Sequence, residues 1–221
     1  MRAVLGSLIF SIICYPAQLL AETSTPVCER AGVKVLTDFQ GGNISGCEFA
    51  SNGRLTISVV PENEPINSSP WYAFRLLANA TTDVAIVLDY GSYKHRYTPD
   101  FSIDGVNWQT YPPAKLDLNK DKSRAGFSLT LPQGKSVVIA AQPLLTSSHY
   151  AAWLESLKEQ HGVTVSSVGS SVEDRPLWRA TTPAKKHTLL LLGRQHPPER
   201  TGALVLNSFV ERLFEDDALA K

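Results

Sequence analysis

The chain has 221 residues and sets 21 basic against 21 acidic side chains. No run of like charge breaks that balance, which argues against a nucleic-acid or anionic-membrane surface. The length allows one domain and most of a second, and a hydrophobic share of 43% is ample for a packed core.

Met1 and Arg2, an apolar run from Ala3 to Ile13, Pro16, and Leu19-Leu-Ala21 form the three regions of a secretory signal peptide over 1–21. Its apolar run is about a dozen residues, short of the roughly 20 that cross a hydrocarbon core. A mature chain that is secreted or periplasmic, with no membrane association after cleavage at Ala21, is therefore expected. Cys14 reads as apolar filler in the removed segment, because Ile13 rather than a small residue precedes it. Cleavage leaves Cys28 and Cys47. In an oxidising compartment a disulfide between them is the natural inference, the alternative being two unpaired, buried small hydrophobes. No Cys-x-x-Cys spacing is present, so a bridge here would be structural.

From 23 to 142 the sequence alternates short β-branched runs with turn residues, at 33–36, 54–60, 71–77, 84–89, 101–103, 127–131 and 136–141. That spacing predicts an antiparallel β-sandwich domain. Period-two alternation places Leu55, Ile57 and Val59 on one buried face. Asp104-Gly105 reads as a two-residue hairpin turn, since both central positions of such a turn need positive φ. Two aromatic groups, Trp71 to Phe74 and Tyr93 to Tyr97 with Trp108 and Tyr111, are read first as packing, because aromatics at strand positions bury large areas. Asn-x-Ser/Thr triplets at Asn43, Asn67 and Asn79 matter only on a eukaryotic secretory route.

A linker over 141–148 leads to a helix carrying Tyr150, Trp153, Leu154 and Leu157, capped by Thr146, Ser147 or Ser148 and ending near His161-Gly162. Strands at 163–168 and 177–180 follow, joined by a turn over 170–174. Leu189 to Leu192 then form an uninterrupted apolar run closed by Gly193, as a strand buried on both faces would. His196 precedes Pro197, which favours extended backbone, and Pro198 is tolerated only in a first helical turn, so Glu199 should start a helix. That helix would bury Ala203, Leu206, Phe209, Val210, Leu213 and Phe214. His196 and Glu199 thus stand three residues apart between strand and helix, offering an imidazole nitrogen and a carboxylate oxygen as zinc ligands. On spacing alone, a solvated loop is the better reading. His149, His161 and His187 have no acid or second histidine at ligand spacing and read as surface or terminal.

At these residues the chain resembles the zinc carboxypeptidases, in particular their cytosolic-carboxypeptidase-like branch, where a buried strand ends in a His-Pro-(Gly or Pro)-Glu motif before a helix. Val168-Gly-Ser-Ser-Val-Glu-Asp-Arg-Pro-Leu177 is similar to the family's Ile-Gly-x-Ser-x-Glu-Gly-Arg-x-Ile hairpin, with Asp174 in place of its glycine. Trp71-Tyr-Ala-Phe-Arg75 and Ser102-Ile-Asp-Gly-Val-Asn-Trp108 match the β-sandwich that precedes the catalytic domain in that branch. The second of these also looks like hairpins of discoidin-type carbohydrate-binding modules.

The resemblance implies two domains, β then α/β. An antiparallel sandwich over 23–142 would be followed by the N-terminal part of a metallopeptidase domain with a mixed sheet over 144–221. It implies one zinc ion, His196 and Glu199 as two of its three protein ligands, and peptide or protein C-termini as substrates. The family's second ligand histidine, its carboxylate-binding arginine and its catalytic glutamate lie downstream of the motif, and no residue up to Lys221 corresponds to them. The expectation is therefore the N-terminal portion of a secreted zinc carboxypeptidase, inactive as this polypeptide alone. The alternative is a secreted β-sandwich module binding glycan or peptide, with a degenerate peptidase remnant.

Overall fold

The computed structural model describes residues 25–62, 64, 65, 68–196 and 199–215. The expected signal peptide, Cys14, Asn67, Pro197 and Pro198 lie outside the described residues. Eleven strands come first: β1 (Cys28–Arg30), β2 (Val33–Leu36), β3 (Gly46–Phe49), β4 (Leu55–Ser58), β5 (Ala73–Ala78), β6 (Thr82–Asp89), β7 (Asp100–Ser102), β8 (Gln109–Thr110), β9 (Asp117–Leu118), β10 (Arg124–Leu131) and β11 (Ser136–Ala140). They build a six-stranded sheet in the order β1-β2-β5-β11-β7-β8 and a five-stranded sheet in the order β3-β4-β6-β10-β9.

The inner faces follow from alternation. Leu55, Ile57 and Val59 are fully buried, and Val84, Ile86 and Leu88 repeat the pattern on β6. Val35, Phe74, Leu76 and Ile139 face them from the other sheet in one apolar cluster. The aromatic groups are packing: Tyr72 and Phe74 are buried, Tyr72 meets Tyr90 edge-on at 6.5 Å, and Tyr111 lies 5.3 Å from Phe127. Burial pushes the Tyr72 and Tyr90 hydroxyls above the usual phenol range. Tyr72 donates to the Tyr97 carbonyl at 3.3 Å, so its buried hydroxyl is satisfied.

Two expectations for the sandwich are corrected. Its pairing is not wholly antiparallel, because β4 and β6 run parallel. A parallel pair needs a crossover, and here the chain crosses through β5 in the facing sheet rather than through a helix. Asp104-Gly105 is also not a two-residue hairpin turn. Phe101 pairs with Gln109, leaving a loop over 102–108 that is organised by the Asp104 carboxylate. That carboxylate accepts the backbone N–H groups of Val106 and Asn107, the Asn107 amide at 2.7 Å and the Ser102 hydroxyl at 2.9 Å. Asp104 has no positive φ, whereas Gly105 does, at 74°. The Asn107 and Val106 bonds, with Ser102, hold its carboxyl far below the usual range.

Beyond the sandwich, α1 (Ser147–His161) ends at Gly162, whose φ of 65° fits the left-handed cap. Thr146 is its N-cap, and His149 Nδ1 accepts the Thr146 N–H at 3.0 Å, the place a capping glutamate usually takes. Then come β12 (Thr164–Ser170), β13 (Pro176–Thr181) and α2 (Arg200–Glu215). Asp174, standing where the resembling family has glycine, adopts φ 55° in the turn between β12 and β13.

The expected mixed sheet is not formed among the described residues, where β12 and β13 pair only with each other. Nor is 189–192 a buried strand: Leu189, Leu190 and Leu192 are 67%, 76% and 70% exposed. A strand buried on both faces needs neighbours on both edges and covering layers, and the described residues supply neither. Part of the expected helix face is buried, with Ala203 fully enclosed and Val210 and Phe214 packed on Leu154, Leu157 and Val163. Phe209 is 45% exposed, contrary to its expected place in the core, since nothing described covers that side.

Cys28 and Cys47 are joined by a disulfide across 19 residues. It ties β1 of one sheet to β3 of the other, at the edge where neither strand has a second neighbour. In the chain-entropy treatment, closing a loop of that size is worth about 3 kcal/mol. A Cys28→Ser/Cys47→Ser variant is expected to lose about that much stability, read as a lower urea midpoint with a steeper slope, because the unbridged denatured chain exposes more surface.

Candidate metal centre

The residues before the metal loop are placed by packing. Gly193 lies against α2: a Cβ there would sit 2.2 Å from Leu206 Cδ2 and 3.3 Å from Leu206 Cβ. Only glycine lets the backbone and the helix approach this closely. Arg194 follows in the left-handed region, at φ 48°. Its guanidinium donates to the Leu145 carbonyl in the linker between β11 and α1. The loop then presents His196, and Glu199 stands one residue before α2. The Glu199 N–H donates to the His196 carbonyl at 3.2 Å, while its own carbonyl accepts the Ala203 N–H at 3.3 Å, so Glu199 opens the helix.

The two side chains meet. His196 Nδ1 lies 2.9 Å from Glu199 Oε1, and the side chains are 73% and 56% exposed. An imidazole nitrogen and a carboxylate oxygen are zinc donors, each bound at about 2.0–2.2 Å, which sets two tetrahedral ligand atoms roughly 3.3 Å apart. The observed pair is slightly closer because it shares a hydrogen bond, and a divalent cation would take the place of the shared proton. Donor type and spacing thus fit zinc. Donor number fits in part, since a catalytic zinc site uses three protein ligands and no group of three or more His, Cys, Asp or Glu converges among the described residues.

The other histidines are elsewhere. His149 caps α1, and His161 stacks on Phe214 at 4.5 Å. His187 is exposed, and His95 contacts the Tyr90 hydroxyl at 3.2 Å. The far end of α2 is held by α1, where Trp153 Nε1 donates to Glu211 at 2.9 Å. Its near end carries Arg200, half-buried beside the pair. Burial lowers the Arg200 pKa, the negative charge of Asp100 raises it, and the Arg194 charge lowers it again. Sequence reasoning singled out none of Asp100, Arg194 and Arg200. Asp100 sits in a short strand with no motif around it, and the Arg194 bond goes to a main-chain carbonyl.

The described chain has the fold of part of a metallo-carboxypeptidase. Among solved structures it is similar to a metallo-carboxypeptidase from Burkholderia cenocepacia, with a TM-score of 0.64 and 20% identity over 85% of this chain and 50% of that one. It is also similar to a Pseudomonas aeruginosa metallo-carboxypeptidase in complex with (2-guanidinoethylmercapto)succinic acid, with a TM-score of 0.62 and 23% identity over 83% and 50%. A third, a putative carboxypeptidase from Burkholderia mallei, has a TM-score of 0.64 and 21% identity over 85% and 49%. The chain therefore spans about half the length of the solved structures it matches. No protein-family model and no curated protein matches its sequence.

The Gly193 contact yields a prediction. Gly193→Ala is expected to drive Leu206 from its rotamer at a cost of about 1–3 kcal/mol, read as shifted Leu206 methyl resonances and a lower unfolding midpoint.

Proposed function

We propose that this chain carries part of a secreted or periplasmic zinc carboxypeptidase of the cytosolic-carboxypeptidase-like branch, acting on peptide or protein C-termini. The observation that carries the reading is the approach of His196 Nδ1 to Glu199 Oε1 at 2.9 Å, at the head of a helix, in a chain with the metallo-carboxypeptidase fold. The hairpin at Val168–Leu177 and the Trp71–Arg75 stretch support the branch, and the Met1–Ala21 segment supports export.

In this reading His196 and Glu199 are ligands to one zinc ion. When bound, zinc polarises a scissile carbonyl and lowers the pKa of its water toward about 7. The chain's own contribution is placement. Glu199 is fixed immediately before α2, His196 is held over it by the turn bond between their main chains, and both face solvent, where a peptide end can approach. A general base contributes about 10²–10⁴ in rate, and no residue described here takes that role. The polypeptide of residues 22–221 by itself is therefore expected to bind zinc weakly and to release no C-terminal residues from peptides.

The test uses protein expressed from the complete reading frame. His196→Ala and Glu199→Ala should each weaken zinc binding by more than the ~10–100-fold that follows loss of an outer-shell partner, and should abolish C-terminal hydrolysis. Unchanged zinc affinity in either variant excludes that residue as a ligand.

A further inference from the structure

The His196–Glu199 pair is bracketed by two arginines, Arg194 and Arg200. Arg194, two residues before His196, donates its guanidinium to the Leu145 carbonyl. That linker and the start of α1 are seated on the sandwich: Leu144 Cδ2 lies 3.3 Å from where a Cβ on Gly41 would stand, and the Ser148 N–H of α1 donates to Gln40 Oε1 at 3.3 Å. The turn carrying Gln40 and Gly41 is fixed from below, because Trp71 Nε1 donates to the Gly41 carbonyl at 3.0 Å and the Gly42 N–H to the Phe39 carbonyl at 2.9 Å. A continuous run of direct contacts therefore leads from the sandwich core to the residue that opens the metal loop.

The second arginine stands at the head of the helix. Arg200 is the first residue of α2, and its Nε is buried without a hydrogen-bond partner. The carboxylate acting on it is Asp100 on β7, only 9% exposed, held between Ala140 and Thr110 and bonded to the Thr110 hydroxyl at 2.6 Å. Burial raises the Asp100 pKa, while the Thr110 hydroxyl bond and, after it, the Arg200 charge favour the ionised form.

We propose that the β-sandwich positions the metal pair, with Arg194 as a positioning residue that fixes the start of the metal loop against the Leu145 carbonyl. As a statement about zinc this rests on the reading given above; as a statement about the loop it does not. The sandwich then serves as a platform for the site, and residues far from any substrate control the site's order.

Hydrogen exchange on the full-length protein tests it. The Glu199 and Ala203 amides, bonded to the His196 and Glu199 carbonyls, report the order of the loop and first turn, and amides of β5 and β6 serve as the internal control. Arg194→Met is expected to speed exchange at Glu199 and Ala203 about tenfold and leave β5 and β6 unchanged, with Arg194→Lys restoring most of the protection. Unchanged rates at both reporter amides overturn the proposal. So does acceleration spread equally over β5 and β6, which would make Arg194 a support of the sandwich instead. Zinc titration of the same proteins separates the two claims. A protein that binds no zinc but shows the local acceleration refutes the zinc reading alone, whereas zinc binding with unchanged exchange refutes the positioning alone.

Discussion

Apolar burial between the two sheets is the constraint on which everything else in the molecule depends. Leu55, Ile57, Phe74, Leu76, Ile86, Leu88 and Ile139 are enclosed almost completely, at roughly 1.5–3 kcal/mol for each large side chain removed from water. The edge of this core is closed by the disulfide between β1 and β3, and its rim by the Tyr72 and Tyr90 hydroxyls. A body so packed has one arrangement and can serve as a fixed reference for less self-sufficient segments. The residues after β11 are of that second kind. Their own cluster is small, centred on Leu154, Leu157 and Val163, while Leu189, Leu190, Leu192 and Phe209 remain exposed.

The contrast explains what could be read in the sequence. Alternation at Leu55, Ile57 and Val59 is a local consequence of the pleat, so it survives without knowledge of partners. The β4–β6 pairing was not legible, because parallel neighbours depend on where the chain travels between them. Asp104-Gly105 misled for a chemical reason: the Asp104 side chain bonds four donors and builds a longer loop, although the dipeptide also suits a tight turn. The apolar run at 189–192 reads as a buried strand by composition, yet a strand is defined by its hydrogen-bonding neighbours, which the described residues do not provide.

The candidate site divides in the same way. The meeting of His196 and Glu199 before a helix was legible because the Pro-Pro step between them favours a helix start there. The groups that hold them were not. Arg194 reaches a main-chain carbonyl 49 residues away, and a carbonyl carries no residue identity for a pattern to find. Asp100 and Arg200 lie on separate elements, and only the fold brings their charges to bear on each other. Positioning by backbone contact is thus invisible until the tertiary structure is known.

Zinc K-edge X-ray absorption on protein purified from the complete reading frame tests the metal assignment most directly. Binding by His196 and Glu199 gives nitrogen and oxygen scatterers at about 2.0–2.2 Å, with the multiple scattering of an imidazole ring that is lost or reduced in His196→Ala. A shell at about 2.3 Å characteristic of sulfur, or a spectrum that His196→Ala leaves unchanged, contradicts it.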